Sequence, residues 1–221
     1  MRSDMVDVTA GVPGFSAEWY TDVVEFADGS PEPVQWFAAH FTEGSVVLLG
    51  LLLMAAAWRY FRGAPQAAGI GPPSARTTRH RAAALVAPVA VVLAYGLSEW
   101  FKTVVDQERP CRDLTDLVIV AGHCPPVGDW SFPSNHSTIA GALATGTVLL
   151  WPRLGLLAVP LALLAAASRV FVGVHYPHDV VGGVLLGALV VTALVLPLTG
   201  LPQRRSQHRD APPSPIRKVV S

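Results

Sequence analysis

Apolar residues in this chain gather into long unbroken runs, and the polar residues stand at the ends of those runs rather than alternating with them. Five stretches, roughly 40–61, 82–103, 136–152, 154–172 and 179–199, are long and apolar enough to cross a bilayer core of about 30 Å as helices. Ahead of them, Val12, Phe15, Trp19, Val23 and Phe26 recur at three- and four-residue steps, with Glu18, Asp22 and Glu25 elsewhere on the wheel. That spacing predicts a short amphipathic helix, too polar to span, that lies either at the membrane interface or on a protein surface. The pattern as a whole predicts an all-α integral membrane bundle: five transmembrane helices plus an N-terminal amphipathic helix.

The residues that punctuate the runs agree with this. Trp36, Trp58, Trp100, Trp130 and Trp151 fall near predicted ends or in the adjoining loops, as an aromatic belt at headgroup level would require. Gly141, Ala142, Gly146, Gly183 and Gly187 place small residues along two of the spans, which favours close helix packing. Pro88 and Pro160 fall inside spans, where neighbouring helices can satisfy the carbonyls a proline frees and a local kink is expected.

Composition supports the membrane reading: 51% of residues are apolar and 14% charged, against about 25% charged in an ordinary soluble domain. Formal net charge is zero, which leaves no bulk electrostatic case for nucleic acid as a partner. Residues 1–33 show no basic stretch followed by an apolar core, so a cleavable signal peptide is not expected there.

The distribution of charge carries more than its sum. Arg59, Arg62, Arg76, Arg79 and Arg81 fill the first interhelical loop, Arg153 the third, and Arg204, Arg205, Arg209, Arg217 and Lys218 the tail. The positive-inside rule makes that side cytoplasmic, which puts the N-terminus outside and the loops 104–135 and 173–178 on the outer face of a plasma membrane. The division expected is an acidic outer segment over 1–35, a membrane domain over 36–200 and a basic, Pro-containing cytoplasmic tail over 201–221. Gly63–Ser74 and the Pro-rich 211–215 read as flexible. Cys111 and Cys124 share the outer loop, where an oxidising compartment permits a disulfide; two unpaired thiols are the alternative.

Three polar clusters then share the outer face at helix ends: Lys102 through Arg109-Pro110, Pro133-Ser134-Asn135-His136, and Ser168-Arg169 through His175 to Asp179. Ionisable groups at such an address point to a functional site. Lys102, Arg109 and Arg169 supply three fixed cations for phosphate oxygens, and Ser134 is placed to cap the third span, whose free amides would face an anion. His175 has the character of a nucleophile with Asp179 four residues on to hold its other ring nitrogen, and His136 that of a general acid. Pro177 suits the first residue of the last helix. Singly, each residue also has a structural reading: Lys102 and Arg112 as snorkelling interfacial groups, Arg109 as loop punctuation, His136 as a cap, Asp179 as a favourable charge at a helix start. His123 and His178 carry no motif role. A metal site is disfavoured because three flanking cations would repel a divalent ion.

The three clusters match the signature Lys-x6-Arg-Pro, Pro-Ser-Gly-His and Ser-Arg-x5-His-x3-Asp in order and spacing over about 80 residues. On these motifs the chain resembles the type 2 phosphatidic acid phosphatase (PAP2) superfamily, which also includes the vanadium haloperoxidases. The resemblance implies a PAP2/haloperoxidase-like helical core and metal-independent phosphate release from a lipid phosphate or diphosphate, with no cofactor. It implies phosphate binding by Lys102, Arg109, Arg169, Ser134 and the amide at Asn135, acid catalysis by His136, a phosphohistidine at His175 and orientation by Asp179.

Two departures stand out. Asn135 replaces the usual glycine, either donating a hydrogen bond or narrowing the cradle. Integral relatives commonly have six spans, where five and an acidic segment are predicted here. The expected substrate is a polyprenyl diphosphate such as the undecaprenyl carrier of envelope synthesis, with phosphatidic acid and phosphatidylglycerol phosphate as competitors. Phosphoryl transfer to another lipid is the second reading. A non-enzymatic transporter is disfavoured because the polar groups gather at one depth.

Overall fold

A computed structural model describes residues 12–62 and 75–199, and among these every regular element is helical. The order is α1 (Gly14–Asp28), α2 (Glu32–Arg62), α3 (Ala75–Val105), α4 (Pro110–Asp113), α5 (Asn135–Leu150), α6 (Pro152–Phe171) and α7 (Pro177–Thr199). Arg2, the Gly63–Ser74 linker and the basic, Pro-containing tail lie outside the described residues.

Among the described residues, four helices are long and apolar enough to cross a membrane: α2, α3, α6 and α7. The predicted third span is α5, whose 16 residues rise about 24 Å and do not reach that length. Its role is different. It is the most enclosed helix of the bundle, burying Thr138, Gly141, Ala142, Ala144 and Thr147 among others, and it packs against α2, α3, α6 and α7. By contrast α2 and α3, at 31 residues each, run about 46 Å and extend past the predicted spans.

Lipid tails are as apolar as a leucine side chain, so burial alone cannot hold membrane helices together; close backbone approach must contribute. The core accordingly is rich in alanine, with Ala56, Ala83, Ala87, Ala90, Ala140 and Ala158 fully buried, while Leu51, Leu85, Leu156 and Leu189 point outward. The tightest crossing joins α5 to α7. A Cβ added to Gly187 would lie 2.0 Å from the Thr138 carbonyl oxygen, and one added to Gly141 would lie 2.5 Å from that of Val184. The packing role expected of these glycines is the one found. Helices α3 and α6 continue through Pro88 and Pro160.

The two ends of the bundle differ in chemistry. At one end, Arg59 lies over the Trp151 ring at 4.8 Å, Arg81 donates to the Tyr60 carbonyl at 3.2 Å and Arg79 to the Pro197 carbonyl at 3.0 Å. The other end carries the C-termini of α3 and α6 and the N-termini of α5 and α7, and with them all three polar clusters. Its long loop is closed by the Cys111–Cys124 disulfide, so the two cysteines pair.

Helix α1 forms over the predicted amphipathic stretch, and Val12 and Val23 of its apolar ridge pack partly against the protein. Phe15, Trp19 and Phe26 are exposed, whereas Ser16, Ala17, Tyr20, Val24 and Ala27 are buried against α6 and α7.

The close crossing is testable. Gly187→Val is expected to destabilise by about 3 kcal/mol or more, because the clash is with backbone that cannot swing aside. Gly44→Ala, where an added Cβ meets open space, is expected to stabilise by roughly 0.5–1 kcal/mol. Thermal unfolding in detergent ranks the two, and equal midpoints would contradict the crossing.

Candidate active site

The segment between α6 and α7 is built for a sharp reversal. Val172 caps α6, Gly173 takes φ 86°, and Pro177 opens α7 as expected. Gly173 is required twice over: its backbone is left-handed, and a Cβ there would lie 2.5 Å from the Ile119 side chain. The turn sets His175 inside the protein, 2% exposed, and Asp179 fully buried in the first turn of α7.

A buried carboxylate is tolerable only if its oxygens are supplied with donors. Asp179 Oδ2 accepts from the Tyr176 amide at 2.8 Å and from Ser131 Oγ, and Oδ1 accepts from Gln107 Nε2 at 3.0 Å and lies 3.2 Å from His178 Nε2. His175 Nδ1 stands 3.4 Å from Oδ2. On the far side of the imidazole, Arg109 Nη1 lies 3.1 Å from Nε2. A guanidinium only donates, so Nε2 carries the lone pair and Nδ1 the proton. Burial first, then the charges of Arg109 and Arg169, outweigh the pull of Asp179 and hold His175 down to about 4. At neutral pH it is a neutral imidazole whose free electron pair faces the arginine.

Arg109 staples the site together. Its Nε donates to the Asp129 carbonyl at 2.7 Å, Nη1 also donates to the Val174 carbonyl at 2.9 Å, and Nη2 pairs with Asp129 Oδ1 at 3.0 Å. Lys102, 4% exposed, reaches the same Oδ1 at 2.8 Å. Neither side chain snorkels away, so the punctuation and interface readings of these two are set aside. Burial opposes ionisation of Asp129, but Lys102 and Arg109 outweigh it and hold its carboxyl below the usual range. Two of the three expected phosphate-binding cations thus already hold one anionic oxygen between them. Arg169 differs: its Nε is buried with no hydrogen-bond partner. Arg109 of the first cluster reaches His175 of the third, and the Ser134 amide of the second donates to the Asp179 carbonyl of the third, which places the three clusters around one centre.

Ser134 is the residue preceding α5, in extended conformation, as the capping expectation required; its amide donates to the Asp179 carbonyl at 3.1 Å. Its hydroxyl makes no cap bond and instead accepts from Ser137 Oγ at 3.1 Å. Asn135 accepts from Ser98 Oγ at 2.7 Å and donates to Glu99, so its side chain is turned toward α3. His136 Nε2 lies 2.8 Å from the exposed Glu43 carboxylate. Arg112, within the disulfide loop, pairs with Glu108 just ahead of it at 3.0 Å. Among the described residues, no three His, Cys, Asp or Glu side chains gather as metal ligands would.

Sequence reasoning did not find Gln107, Asp129, Ser131, Glu43 or Ser16, and it gave His178 no motif role. Gln107 lies within the Lys102–Arg109 spacing and Ser131 just ahead of Pro133, but polar residues in a polar loop carry no periodic signal. His178 proves to be tied to Ser16 Oγ at 2.8 Å and Gln107 Oε1 at 3.0 Å, with its ring stacked on those of Phe132 and Tyr176.

The arrangement is that of a helical membrane protein with clustered cations beside a buried neutral histidine and its buried carboxylate partner. The PAP2 superfamily model matches residues 83–199, and the chain belongs to that superfamily. It is 34% identical over 113 residues to an undecaprenyl-diphosphatase of Sulfolobus acidocaldarius, a match covering 51% of this chain and 53% of that protein. It is 38% identical over 114 residues to a decaprenylphosphoryl-5-phosphoribose phosphatase of Mycobacterium tuberculosis, covering 51% and 59%. A lipid A 1-phosphatase of Rhizobium johnstonii is 42% identical over 73 residues, covering 32% and 30%. The chain thus spans about half the length of the first two relatives and less of the third. The crystal structure of a transmembrane PAP2-type phosphatidylglycerolphosphate phosphatase from Bacillus subtilis has the same fold, with a TM-score of 0.55 at 20% identity over 93% of this chain and 95% of that one.

The burial of neutral His175 has a sign that can be measured. Its folded pKa of about 4 lies below the ordinary ~6.5, so the unfolded chain binds more protons between those values. Stability is therefore lost as pH falls from about 6.5 to about 4 and no further below. Compared across that window, the unfolding midpoint of wild type is expected to drop relative to that of His175→Asn; parallel curves would mean that His175 is not buried neutral.

Proposed function

We propose that this protein is a metal-independent phosphatase that removes phosphate from a lipid phosphate or diphosphate through a phosphohistidine at His175. The observation that carries the reading is the state of His175 itself: neutral, with Nδ1 facing Asp179 and the Nε2 lone pair facing a cation. In the first step Nε2 attacks the terminal phosphorus and its bond to the bridging oxygen breaks, with His136 giving that oxygen its proton, so that a lipid alcohol leaves from a monophosphate and a lipid phosphate from a diphosphate. Asp179 stabilises the imidazolium formed at His175. In the second step His136 takes a proton from water, whose oxygen attacks phosphorus; the phosphorus–nitrogen bond breaks, its electron pair returns to Nε2 and phosphate leaves.

The cations do the charge work. Arg169, with its unpartnered Nε, takes one phosphate oxygen directly. Lys102 and Arg109 take others as the Asp129 carboxylate gives up its place. The α5 N-terminus behind Ser134 adds backbone amides. With three cations around the phosphate, a divalent ion is neither needed nor electrostatically favoured.

The lipid chain has a seat of matching chemistry. A groove of about 1070 Å³ lies between α1, α2, α6 and α7, lined by apolar groups that include Phe37, Phe41, Leu164, Ala167 and Val181, and its wall includes Ser168, next to Arg169. A long prenyl or acyl tail in this groove would leave its head at the cationic end. The names of the Sulfolobus and Mycobacterium relatives favour a polyprenyl substrate. The arginine-rich end of the bundle would be cytoplasmic by the positive-inside rule, which puts the site and the Cys111–Cys124 disulfide on the extracytoplasmic side, where disulfides persist.

Phosphate release from a long-chain polyprenyl diphosphate by the purified full chain tests the mechanism. His175→Ala is expected to lose at least about a thousand-fold in turnover and His136→Ala about a hundred-fold or more, with wild-type activity insensitive to EDTA. Retained turnover in His175→Ala, or loss on chelation, would sink the scheme; label passing to an added acceptor lipid would make the enzyme a phosphotransferase. The groove has its own test. Ala167→Phe is expected to raise KM for the long-chain substrate several-fold and to leave a short-chain phosphate unaffected; equal effects on both would move the tail elsewhere.

A further inference from the structure

Helix α1 lies outside the residues matched by the family model, which begins at 83. It is nevertheless bonded to the segment that carries His175, and at both flanks of it. Upstream, the fully buried Tyr20 donates its hydroxyl to the Gly173 carbonyl at 2.9 Å, and its ring packs on that of Tyr176 at 5.4 Å. Burial pushes the phenol above its ordinary pKa, so it stays a donor. Downstream, the buried Ser16 reaches His178 Nδ1 at 2.8 Å and accepts from the His178 amide at 3.3 Å.

The Ser16 contact matters because of what lies on the other side of the same ring. His178 Nε2 is 3.0 Å from Gln107 Oε1 and 3.2 Å from Asp179 Oδ1. Both are acceptors, since Gln107 already donates through Nε2 to Asp179. Nε2 must therefore carry the proton, and in the neutral ring Nδ1 must accept. Ser16 supplies the hydroxyl that Nδ1 accepts from. Without it the other tautomer is open, and that tautomer would present a lone pair to the Asp179 carboxylate.

We propose that Ser16 and Tyr20 are positioning residues for the phosphoryl-transfer centre. Ser16 selects the His178 tautomer that, with Gln107, orients Asp179 and so His175, while Tyr20 anchors the backbone two residues ahead of His175. An element outside the three motifs thus sets the geometry of the nucleophile. Displacements of about an ångström at a reacting group cost up to a hundred-fold in rate, so the contribution belongs in kcat rather than in KM.

The proposal rests on the phosphohistidine reading, and the experiment separates the two. Phosphate release from the long-chain polyprenyl diphosphate is measured for the full chain carrying Ser16→Ala, Tyr20→Phe, His178→Asn and the Ser16→Ala/His178→Asn pair, with His175→Ala as reference and thermal midpoints alongside. Ser16→Ala and Tyr20→Phe are each expected to lower kcat about ten-fold, with KM within two-fold and midpoints little changed. The double variant is expected to be no slower than His178→Asn alone, because Ser16 acts through that ring. Wild-type kcat in Ser16→Ala, losses that multiply in the double variant, or losses that follow the thermal midpoint would each overturn the proposal. If His178→Asn does not accumulate, the kcat and KM of Ser16→Ala at unchanged midpoint decide alone. Turnover surviving in His175→Ala would instead overturn the phosphohistidine; an inactive His175→Ala beside fully active Ser16→Ala and Tyr20→Phe overturns only the role of α1.

Discussion

A fully buried carboxylate, Asp179, sets the terms for the whole polar end of this protein. An ionised group away from water must be given donors, and one chain segment cannot provide enough of them. Asp179 draws on Gln107 from beyond α3, Ser131 from the loop before α5, the Tyr176 amide, and His178 and His175 beside it. Satisfying one side chain thus forces three loops to converge. Its place in the first turn of α7 adds the favourable field of a helix N-terminus.

The same convergence brings cations together, and buried cations need counter-charge. Asp129 provides it for Lys102 and Arg109, while Arg169 keeps a buried nitrogen without a partner. Lys102 and Arg109 are therefore held in place by their own counter-ion. Behind them the apolar end has simpler needs: α5 and α7 touch backbone to backbone at Gly141 and Gly187, and the core around them is mostly alanine.

Helix α1 joins these two parts. Trp19, Val23 and Phe26 line the apolar groove, while Ser16 and Tyr20 on another face hold the loop of His175 and His178. One short element thus touches both the apolar groove and the loop that carries His175.

The long apolar runs, the small residues along α5 and α7, and the three polar clusters at helix ends were legible in the chain because each is a local or periodic pattern. Lys102, Arg109, Ser134, His136, Arg169, His175 and Asp179 could be named from spacing alone, and Pro177 marked the start of a helix for the same reason. What spacing could not show was partnership. That Asp129 sits between two cations, that α5 is an enclosed helix of only 16 residues, and that α1 packs Ser16 and Tyr20 rather than Phe15 and Trp19 all depend on which surfaces meet. Covalent order and periodicity determine the elements and the chemistry they carry. Contacts between residues as far apart as Ser16 and His178 come only from three-dimensional packing, where a buried donor is kept according to the acceptor it reaches.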